Sequence, residues 1–493
     1  MIKKPNNSAP SVLGRGVIRG VFLAALVSVI SACGGSSSSS TDTAQIRVIH
    51  ASEDAPPVNV TLNGTEAISN LDYSESTGFT SVDAGTFDIS VFGIVPSGNN
   101  PEVIDVNNFE LTTNSRTTIV AAGLTAGIMP VIVSDSAAEP SDTQVAVTVL
   151  HAAPNAPAVD VFVTSPGFDI SMAEPTLTFS FGDDAVDGGA LAAGEVQIRV
   201  TEAGTTTVVY DSGTIDLAPF AGQQLLIAAI GTTTQAEANT SPVKLLVATD
   251  DASLVITDTN TLSGARVVHL SPDAGVAAGG PVEVFASSSA LPTSPTELVP
   301  SFSYTEVVPA QMPGGDNFVF VPTGDYIFDV APDTNMIGDS VFMSPTVNLA
   351  VGQDFSAIAA GRVAGNPDFT ILVSADDARP IVTQAAIKVI HGAPAAGTVD
   401  VFVTPAGQFS VPEVEAGMAG EPLLDDFVFG TITDYVLVEP GMFDVRVVAG
   451  GTVAINVEGL ELAAGSVSTA IARGPIEPMG PPPADFALEL LTF

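Results

Sequence analysis

The sequence predicts an all-β protein made of four tandem immunoglobulin-like β-sandwich domains. Composition is one basis: 46% of the 493 residues are hydrophobic and only 14% are charged, and Val, Ile and Thr, which favour strands, are abundant. A repeat is the other basis. A short motif occurs four times, and each copy contains one of the four histidines of the chain. Successive histidines are 101, 118 and 122 residues apart. A motif that returns at domain-sized intervals indicates one domain used four times.

The first 32 residues have the pattern of an export signal. Lysines and arginines precede an apolar run at residues 21–30, which is too short to cross a bilayer and has the length of a signal-peptide core. Cys33 is the one cysteine of the chain and follows this segment directly, and the next ten residues are polar, mostly Ser, Thr and Gly. We therefore predict a signal peptide at 1–32 and a flexible tether at 33–43 that begins with Cys33.

Residues 29–35, Val-Ile-Ser-Ala-Cys-Gly-Gly, resemble the lipobox of bacterial lipoproteins, in which the cysteine is acylated and becomes the new N-terminus. The resemblance covers about the first 35 residues. It implies lipidation of Cys33 with several acyl chains, which anchor a protein stably where a single chain does not. An ordinary signal peptide with an incidental cysteine is the alternative. Gly34 in place of Asp favours the outer membrane by the sorting rule of enteric bacteria, with the protein on the periplasmic or cell-surface face.

The charge of the chain excludes some partners. Formal net charge is −41, and loss of the signal, which holds four of the 14 cations and no carboxylate, leaves 55 acidic against ten basic residues, or −45. Nucleic acid and anionic membrane surfaces repel such a protein. Solubility and salt tolerance of an exported protein explain the charge, and weak binding of divalent cations is the alternative.

The order of the predicted strands is clearest in the second copy, residues 144–252. About seven short apolar or alternating stretches are separated by regular turns, which suits an immunoglobulin-like sandwich. Equivalent stretches recur in the copies at 44–137, 263–378 and 384–493, and we expect the copies to fold as separate domains. The predicted strands of the second copy are 145–151, 159–163, 177–181, 195–200, 207–210, 224–230 and 243–248.

The repeated motif also identifies a family. A strand ending in histidine is followed by a Pro-rich turn, as in Leu-His-Ala-Ala-Pro-Asn-Ala-Pro at His151, and then by a Val-Asp-Val strand. These residues resemble the bacterial family of domain of unknown function 4397 (DUF4397), in four copies across residues 44–493. The resemblance implies β-sandwich modules on secreted or surface-anchored proteins and brings no established catalytic residue. The third copy departs most, with residues 275–280 inserted before its second strand.

The histidines are the most tempting candidate site. Strand alternation places each one on the inward face of its strand, so we predict a structural role in which the ring bonds to the following turn. A metal site would need two or three further ligands at every copy, and neither nearby position supplies a ligand uniformly. The histidines are His50, His151, His269 and His391; the nearby residues are Asp54, Asn155, Asp273 and Ala395, then Asn59, Asp160, Glu283 and Asp400.

Other catalytic patterns are weak or absent in the sequence. Gly338-Asp339-Ser340 is similar to a lipase-type block but lacks the flanking context of a nucleophile elbow. The sequence has no P-loop, dinucleotide fingerprint or zinc pattern, and no tryptophan for a sugar platform. Adjacent acids at 183–184, 250–251 and 376–377 are candidates for Ca²⁺ between domains, but solvated turns explain them better because spaced oxygen ligands are missing. We expect no enzyme activity, no metal and no cofactor.

Together these features predict a non-enzymatic, lipid-anchored cell-envelope protein whose four sandwiches, in a row, act as a structural stalk or an adhesive or binding surface. The alternative is a substrate-capture lipoprotein that binds a glycan or other polymer for uptake or degradation. Expected partners are the membrane, through the N-terminal lipid, and an envelope or extracellular protein or polymer that the sequence does not identify.

Overall fold

The four repeats fold as four β-sandwiches, here called sandwich 1 to sandwich 4 in chain order. A computed structural model of the chain describes residues 42–135, 140–311, 317–333, 337–376, 379–474 and 486–492. The predicted signal peptide, Cys33 and nearly all of the tether lie outside the described residues. The prediction of all-β sandwich domains is confirmed, since strands dominate every sandwich. No helix in the described ranges has the length and apolar character needed to cross a membrane.

Sandwich 1 sets the pattern with eight strands. They are β1 (Thr43–His50), β2 (Val58–Leu62), β3 (Thr65–Leu71), β4 (Thr80–Asp83), β5 (Gly85–Gly93), β6 (Glu102–Leu111), β7 (Arg116–Ala122) and β8 (Met129–Asp135). One sheet has the order β4-β1-β7-β8 and the other β3-β2-β5-β6. We call the first the histidine sheet, because β1 ends in His50, and the second the outer sheet. β1 runs parallel to β7, so the histidine strand lies inside its sheet.

Sandwich 2 repeats this arrangement with one added strand. Its elements are β9 (Gln144–His151), β10 (Val159–Thr164), β11 (Leu177–Phe179), β12 (Val186–Ala192), β13 (Glu195–Glu202), β14 (Val208–Asp216), β15 (Gln224–Gly231), α1 (Gln235–Ala238), β16 (Val243–Ala248) and β17 (Ser253–Ile256). The histidine sheet is β12-β9-β15-β16-β17 and the outer sheet is β11-β10-β13-β14. β9 again runs parallel to the late strand β15.

Sandwich 3 differs by a helix and shorter edge strands. Its elements are β18 (Ser263–His269), α2 (Ala274–Ala278), β19 (Val282–Ser287), β20 (Thr296–Phe302), β21 (Val307–Val308), β22 (Val319–Val321), β23 (Gly324–Pro332), β24 (Phe342–Met343), β25 (Val347–Leu349), β26 (Asp354–Ala360) and β27 (Thr370–Ala375). β18 pairs with β21, β22 and β26 in the histidine sheet, and β23 joins β19 to β24 and β25 in the outer sheet.

Sandwich 4 returns to two four-stranded sheets. Its elements are β28 (Ala385–His391), β29 (Val399–Pro405), α3 (Val411–Glu415), β30 (Leu424–Phe427), β31 (Val436–Val438), β32 (Gly441–Ala449), β33 (Thr452–Leu462), β34 (Val467–Arg473) and β35 (Ala487–Thr492). The histidine sheet is β31-β28-β34-β35 and the outer sheet is β30-β29-β32-β33. All four copies therefore share one topology.

The histidine sheets are buried on both faces. One face meets the outer sheet of the same sandwich, where Val48 of β1 packs in a core with Val58 and Val60 of β2. The opposite face packs on the histidine sheet of a neighbouring sandwich. Ile49 of sandwich 1 belongs to one apolar cluster with Leu226 of sandwich 2. The equivalent cluster between sandwiches 3 and 4 contains Val268, Leu270, Ile358, Ala360, Ile390, Ile471 and Leu491.

Polar contacts join the two pairs to each other. Between sandwiches 2 and 3, the carboxylate of Asp354 accepts hydrogen bonds from the backbone N–H groups of Gln235 and Ala236, at 2.7 and 3.1 Å. Between sandwiches 4 and 1, the backbone N–H of Ser97 donates to Glu439 at 2.8 Å. The sequence predicts four sandwiches in a row. Because the fourth sandwich contacts the first, that row is not open at its ends.

Candidate functional site

The four histidines occupy equivalent places at the ends of their strands, and three bond to their own turn. In these three, the Nε2 atom lies within hydrogen-bond distance of the carbonyl oxygen six residues later. This is the contact expected of a histidine that holds the Pro-rich turn. The Nε2–oxygen distances are 2.9 Å for His50 and Pro56, 3.1 Å for His151 and Pro157, and 2.8 Å for His391 and Gly397.

The second ring nitrogen indicates the tautomer. Nδ1 of His50 accepts a hydrogen bond from the backbone N–H of Ser52 at 3.3 Å, and Nδ1 of His391 accepts one from Ala393 at the same distance. A neutral ring that accepts at Nδ1 carries its proton on Nε2 and donates it to the turn carbonyl. Burial, the largest influence, lowers the pKa of His50 to about 4, so this ring is neutral at neutral pH.

His269 of sandwich 3 departs from this pattern. Neither of its ring nitrogens has a hydrogen-bond partner among the described residues, although the side chain is only 1% exposed. The carbonyl six residues later belongs to Gly275, which lies in α2 and accepts from the backbone N–H of Gly280 instead. The insertion therefore removes the turn acceptor, while the ring still packs against Phe302 at 5.3 Å between ring centres.

The nearby polar residues do not complete a metal site at the histidines. Asp54 accepts from the backbone N–H of Thr125 at 2.7 Å, and Asp273 accepts from that of Val363 at 2.9 Å. Within the described ranges, one group of three metal-ligating side chains has its ligand atoms within 4.8 Å of one another, and it contains no histidine. This group is Asp400, Asp425 and Asp426.

The polar residue of the Val-Asp-Val strand holds backbone groups of adjoining segments. Asp160 accepts from the backbone N–H of Gly204 at 2.7 Å. Asn59 accepts from Asn70 at 2.9 Å, and Asp400 accepts from Asp426 at 3.0 Å. The third-copy counterpart, Glu283, is fully buried. The position thus fixes strand ends whether it carries an acid or an amide.

Ser340 of the Gly-Asp-Ser block lies in a structural hydrogen-bond group. Its hydroxyl donates to the carbonyl oxygen of Phe342 at 2.8 Å and lies 3.1 Å from a carboxylate oxygen of Asp329. None of its hydrogen-bond partners is a histidine. A serine nucleophile needs a base within hydrogen-bond reach to remove its proton, and Ser340 has no imidazole in that role.

The prediction that the adjacent acids lie in solvated turns is wrong at one of the three places. Asp376 is buried and forms a 2.8 Å ion pair with the equally buried Arg266, while Asp377 lies outside the described residues. Asp250 pairs with Arg116 from the turn between β16 and β17, where its side chain is 38% exposed and Asp251 is exposed. Asp183 does lie in an exposed turn, where it accepts from the backbone N–H of Ser180 at 2.7 Å. Asp376 is needed because it neutralises Arg266, a cation that the fold takes out of water.

Sequence reasoning missed the role of the cations. None of the ten lysines and arginines in the described part of the chain is exposed, and six are buried. Several join two sandwiches: Nη1 of Arg47 donates to the carbonyl oxygen of Thr249 at 2.8 Å, and Lys388 donates to Ser374 at 3.1 Å. The small number of lysines and arginines was the available signal for this role. A chain this acidic is expected to keep a basic residue mainly where the fold requires one. Over the described ranges, the surface therefore carries carboxylates and no exposed cation.

Sequence reasoning also missed a groove on sandwich 4, which we call the Arg446 groove. It has a volume of about 490 Å³ and lies on the outer sheet, between the loop that follows β29 and the β32–β33 hairpin. Arg446, an arginine in the middle of a strand, was the available signal for it. The lining residues are Ala406, Gly407, Phe409, Ser410, Glu413, Asp444, Arg446, Glu458 and Gly459.

Comparison with known proteins supports the family resemblance and little else. The family model of DUF4397, a domain of unknown function, matches residues 44–162 and 266–402, just over half of the chain. No curated protein matches the sequence. A crystal structure of a candidate cell adhesion protein from Bacteroides fragilis NCTC 9343 is similar at 10% identity, with a TM-score of 0.12, over 43% of this chain and 83% of that one. A TM-score this low does not define a common fold.

Proposed function

The chain belongs to the DUF4397 family, and from that premise we propose that it is a non-enzymatic, lipid-anchored cell-envelope protein whose four sandwiches form one rigid binding body. The observation that carries the proposal is the closed series of contacts between sandwiches. Sandwich 1 packs on 2 and sandwich 3 on 4 through apolar clusters, and polar contacts join 2 to 3 and 4 to 1. A lipid at one end would then hold a single body at the membrane.

The contact of sandwich 4 with sandwich 1 favours a compact body over an extended stalk. Besides the bond from Ser97 to Glu439, the side-chain amide of Gln384 donates to the carbonyl oxygen of Ile94 at 2.6 Å. Arg379, in the segment that enters sandwich 4, donates to the carbonyl oxygen of Ala55 and pairs with Asp72. A stalk gains length from an open chain of domains, and these contacts shorten the chain.

The use of the candidate catalytic residues inside the fold supports a non-enzymatic role. Three of the four histidines bond to their own turns, and Ser340 bonds to Asp329 and backbone carbonyls. Residues held in this way by the fold are not free to accept a substrate proton or to attack a substrate atom.

The anchor is tested by replacing Cys33 with serine in the full chain. We expect Cys33→Ser to abolish labelling by a radioactive fatty acid and to move the protein from the membrane fraction to the soluble fraction, because serine offers no thiol for acylation. Ser31→Ala is the matched control and should leave both unchanged. Membrane association that survives Cys33→Ser would contradict the anchor.

A second candidate function is substrate capture, in which the body binds a glycan or other polymer for uptake or degradation. The observation that favours it is the Arg446 groove, an open polar depression on the exposed side of the outer sheet of sandwich 4. Its volume is within the range of small-ligand sites, which are clefts of about 300–1,000 Å³.

A further inference from the structure

The Arg446 groove contains buried polar groups that the protein itself does not satisfy. Arg446 is 2% exposed, and its Nη2 atom donates to Asp444 at 3.1 Å. The Nε and Nη1 atoms have no hydrogen-bond partner among the described residues, and neither has the hydroxyl of Thr404, which is 7% exposed. Unsatisfied buried donors are costly, most of all on a charged group. Two such side chains from adjacent strands beside one groove therefore require an explanation.

Sandwich 2 has the same two residues in the same places. Thr164 and Thr404 both follow a Val-Asp-Val-Phe-Val run in their strands, and Arg199 opposes Phe162 in the sheet as Arg446 opposes Phe402. The backbone N–H of the loop glycine also bonds alike, from Gly167 to Gln197 and from Gly407 to Asp444, both at 2.8 Å. Sandwich 2 is thus an internal reference for the groove.

In sandwich 2 the loop bonds to Nη2 of the arginine, while its Nε has no hydrogen-bond partner among the described residues, as in sandwich 4. Nη2 of Arg199 donates to the hydroxyl of Thr164 at 2.9 Å and to the carbonyl oxygen of Phe168 at 2.6 Å. In sandwich 4 the corresponding loop turns into α3, where Ser410 and Glu413 bond to each other in a capping box. The arginine there lacks the hydroxyl and carbonyl oxygens that its counterpart receives, and a groove lies above it.

The charges around the groove select among ligands. Asp444, Glu413 and Glu458 line it with Arg446 as the one cation, and hydrogen bonds, first from the backbone N–H of Gly407, hold the pKa of Asp444 below its usual value. Three carboxylates against one guanidinium repel an anion. A ligand rich in neutral hydroxyl groups can accept from the arginine and donate to the carboxylates.

We propose that the Arg446 groove binds a neutral saccharide unit. Hydroxyl and ring oxygens of the sugar take the place that the loop oxygens of sandwich 2 hold at Arg199, and further hydroxyls donate to Asp444 and Glu458. The half-buried ring of Phe409 supplies an apolar wall. This inference rests on the second candidate function, substrate capture, and names its ligand class. It is independent of the lipid anchor, which the Cys33→Ser experiment tests separately.

The test uses the purified full chain and three neutral trisaccharides, maltotriose, cellotriose and chitotriose, in isothermal titration calorimetry. We expect at least one to bind. Ala406→Trp, which places a large side chain in the groove at an exposed position, should weaken that binding by at least about tenfold, equivalent to about 1.4 kcal/mol. The matched control is Pro166→Trp at the exposed counterpart in sandwich 2, where the loop already occupies Nη2 of Arg199; it should change nothing.

Arg446→Lys tests the guanidinium itself, since lysine keeps the charge but loses the fork of donors. It should weaken saccharide binding, and the exposed Ala406→Trp site keeps the test valid if a buried lysine unfolds sandwich 4. Failure of all three trisaccharides to bind would overturn the proposal. So would binding that Ala406→Trp leaves unchanged, or binding of trilysine peptide alone, which would assign the groove to a cationic peptide.

Discussion

At the scale of single residues, the repeated histidine acts as a clamp between a strand and the turn that follows it. His151 donates from Nε2 to the carbonyl oxygen of Pro157, and its ring meets Phe179 edge-on at 5.9 Å. Burial lowers the pKa of His151, which keeps the ring neutral and able to bond as donor at one nitrogen only. The structural role that follows from this geometry stays a prediction until the ring is removed.

His151→Ala should destabilise the protein by about 1–3 kcal/mol, the cost of leaving a buried hydrogen-bonding group unsatisfied, here the Pro157 carbonyl. The matched control is His269→Leu, which loses no hydrogen bond and roughly conserves volume, so it should cost less than about 1.5 kcal/mol. Urea denaturation of both variants measures the difference. Equal effects would contradict the clamp, and a melting temperature raised by Zn²⁺ in the wild type but not in His151→Ala would favour a metal site.

Strand alternation was enough to predict which way the histidines face, because period two is a local property of the backbone. It could not predict that His269 lacks a partner. That outcome depends on the course of the inserted residues, which form α2 and engage the Gly275 carbonyl within the helix. The missing hydrogen bond of His269 therefore results from the conformation of the inserted loop, which a short sequence motif does not specify.

At the scale of elements, the histidine sheet determines how the sandwiches associate. β15 is buried at all eight positions and β16 at all six, and apart from Gln224 and Lys244 their sequences are apolar without alternation. Strands that read as continuous apolar runs are typical of sheets covered on both faces. The sequence thus allowed the prediction that each histidine sheet is covered on its second face. It did not allow a prediction of which sandwich covers it, because apolar faces carry little information about their partner.

An isolated sandwich 2 should therefore self-associate. A fragment of residues 140–260 exposes Leu226 and Leu246, both fully buried in the whole chain, and apolar area of this kind drives association. Size-exclusion chromatography with light scattering should find dimers or larger species for this fragment and a monomer for residues 42–260.

A charge placed in the exposed apolar face tests the same interface. Leu246→Asp should return the fragment of sandwich 2 to a monomer and should destabilise the fragment that contains sandwiches 1 and 2. Val255→Asp, on the neighbouring strand and already 40% exposed, is the control and should do neither. A monomeric wild-type fragment of sandwich 2 would show that the paired packing is dispensable.

At the scale of the whole molecule, charge is sorted between inside and outside. The sequence predicted the strong negative charge but not its placement, because the net value says nothing about where the ten cations lie. They are all buried or half-buried, as Arg266 and Asp376 show in a pair with both side chains fully buried. In the described part of the chain, most surface carboxylates therefore face one another with few cations between them, which destabilises the folded state through repulsion.

Stability should accordingly rise with salt. Raising NaCl from about 0.01 to about 1 M shortens the Debye length from about 30 to about 3 Å, so repulsion among surface carboxylates weakens and the melting temperature should increase.

The matched comparison is CaCl₂ at equal ionic strength. Equal melting temperatures would assign the effect to screening. A larger effect of Ca²⁺ that saturates, and that Asp425→Asn in the Asp400–Asp425–Asp426 group removes, would assign it to ion binding there. A melting temperature that falls with NaCl would contradict the argument, since it would mean that ion pairs rather than repulsion dominate the surface.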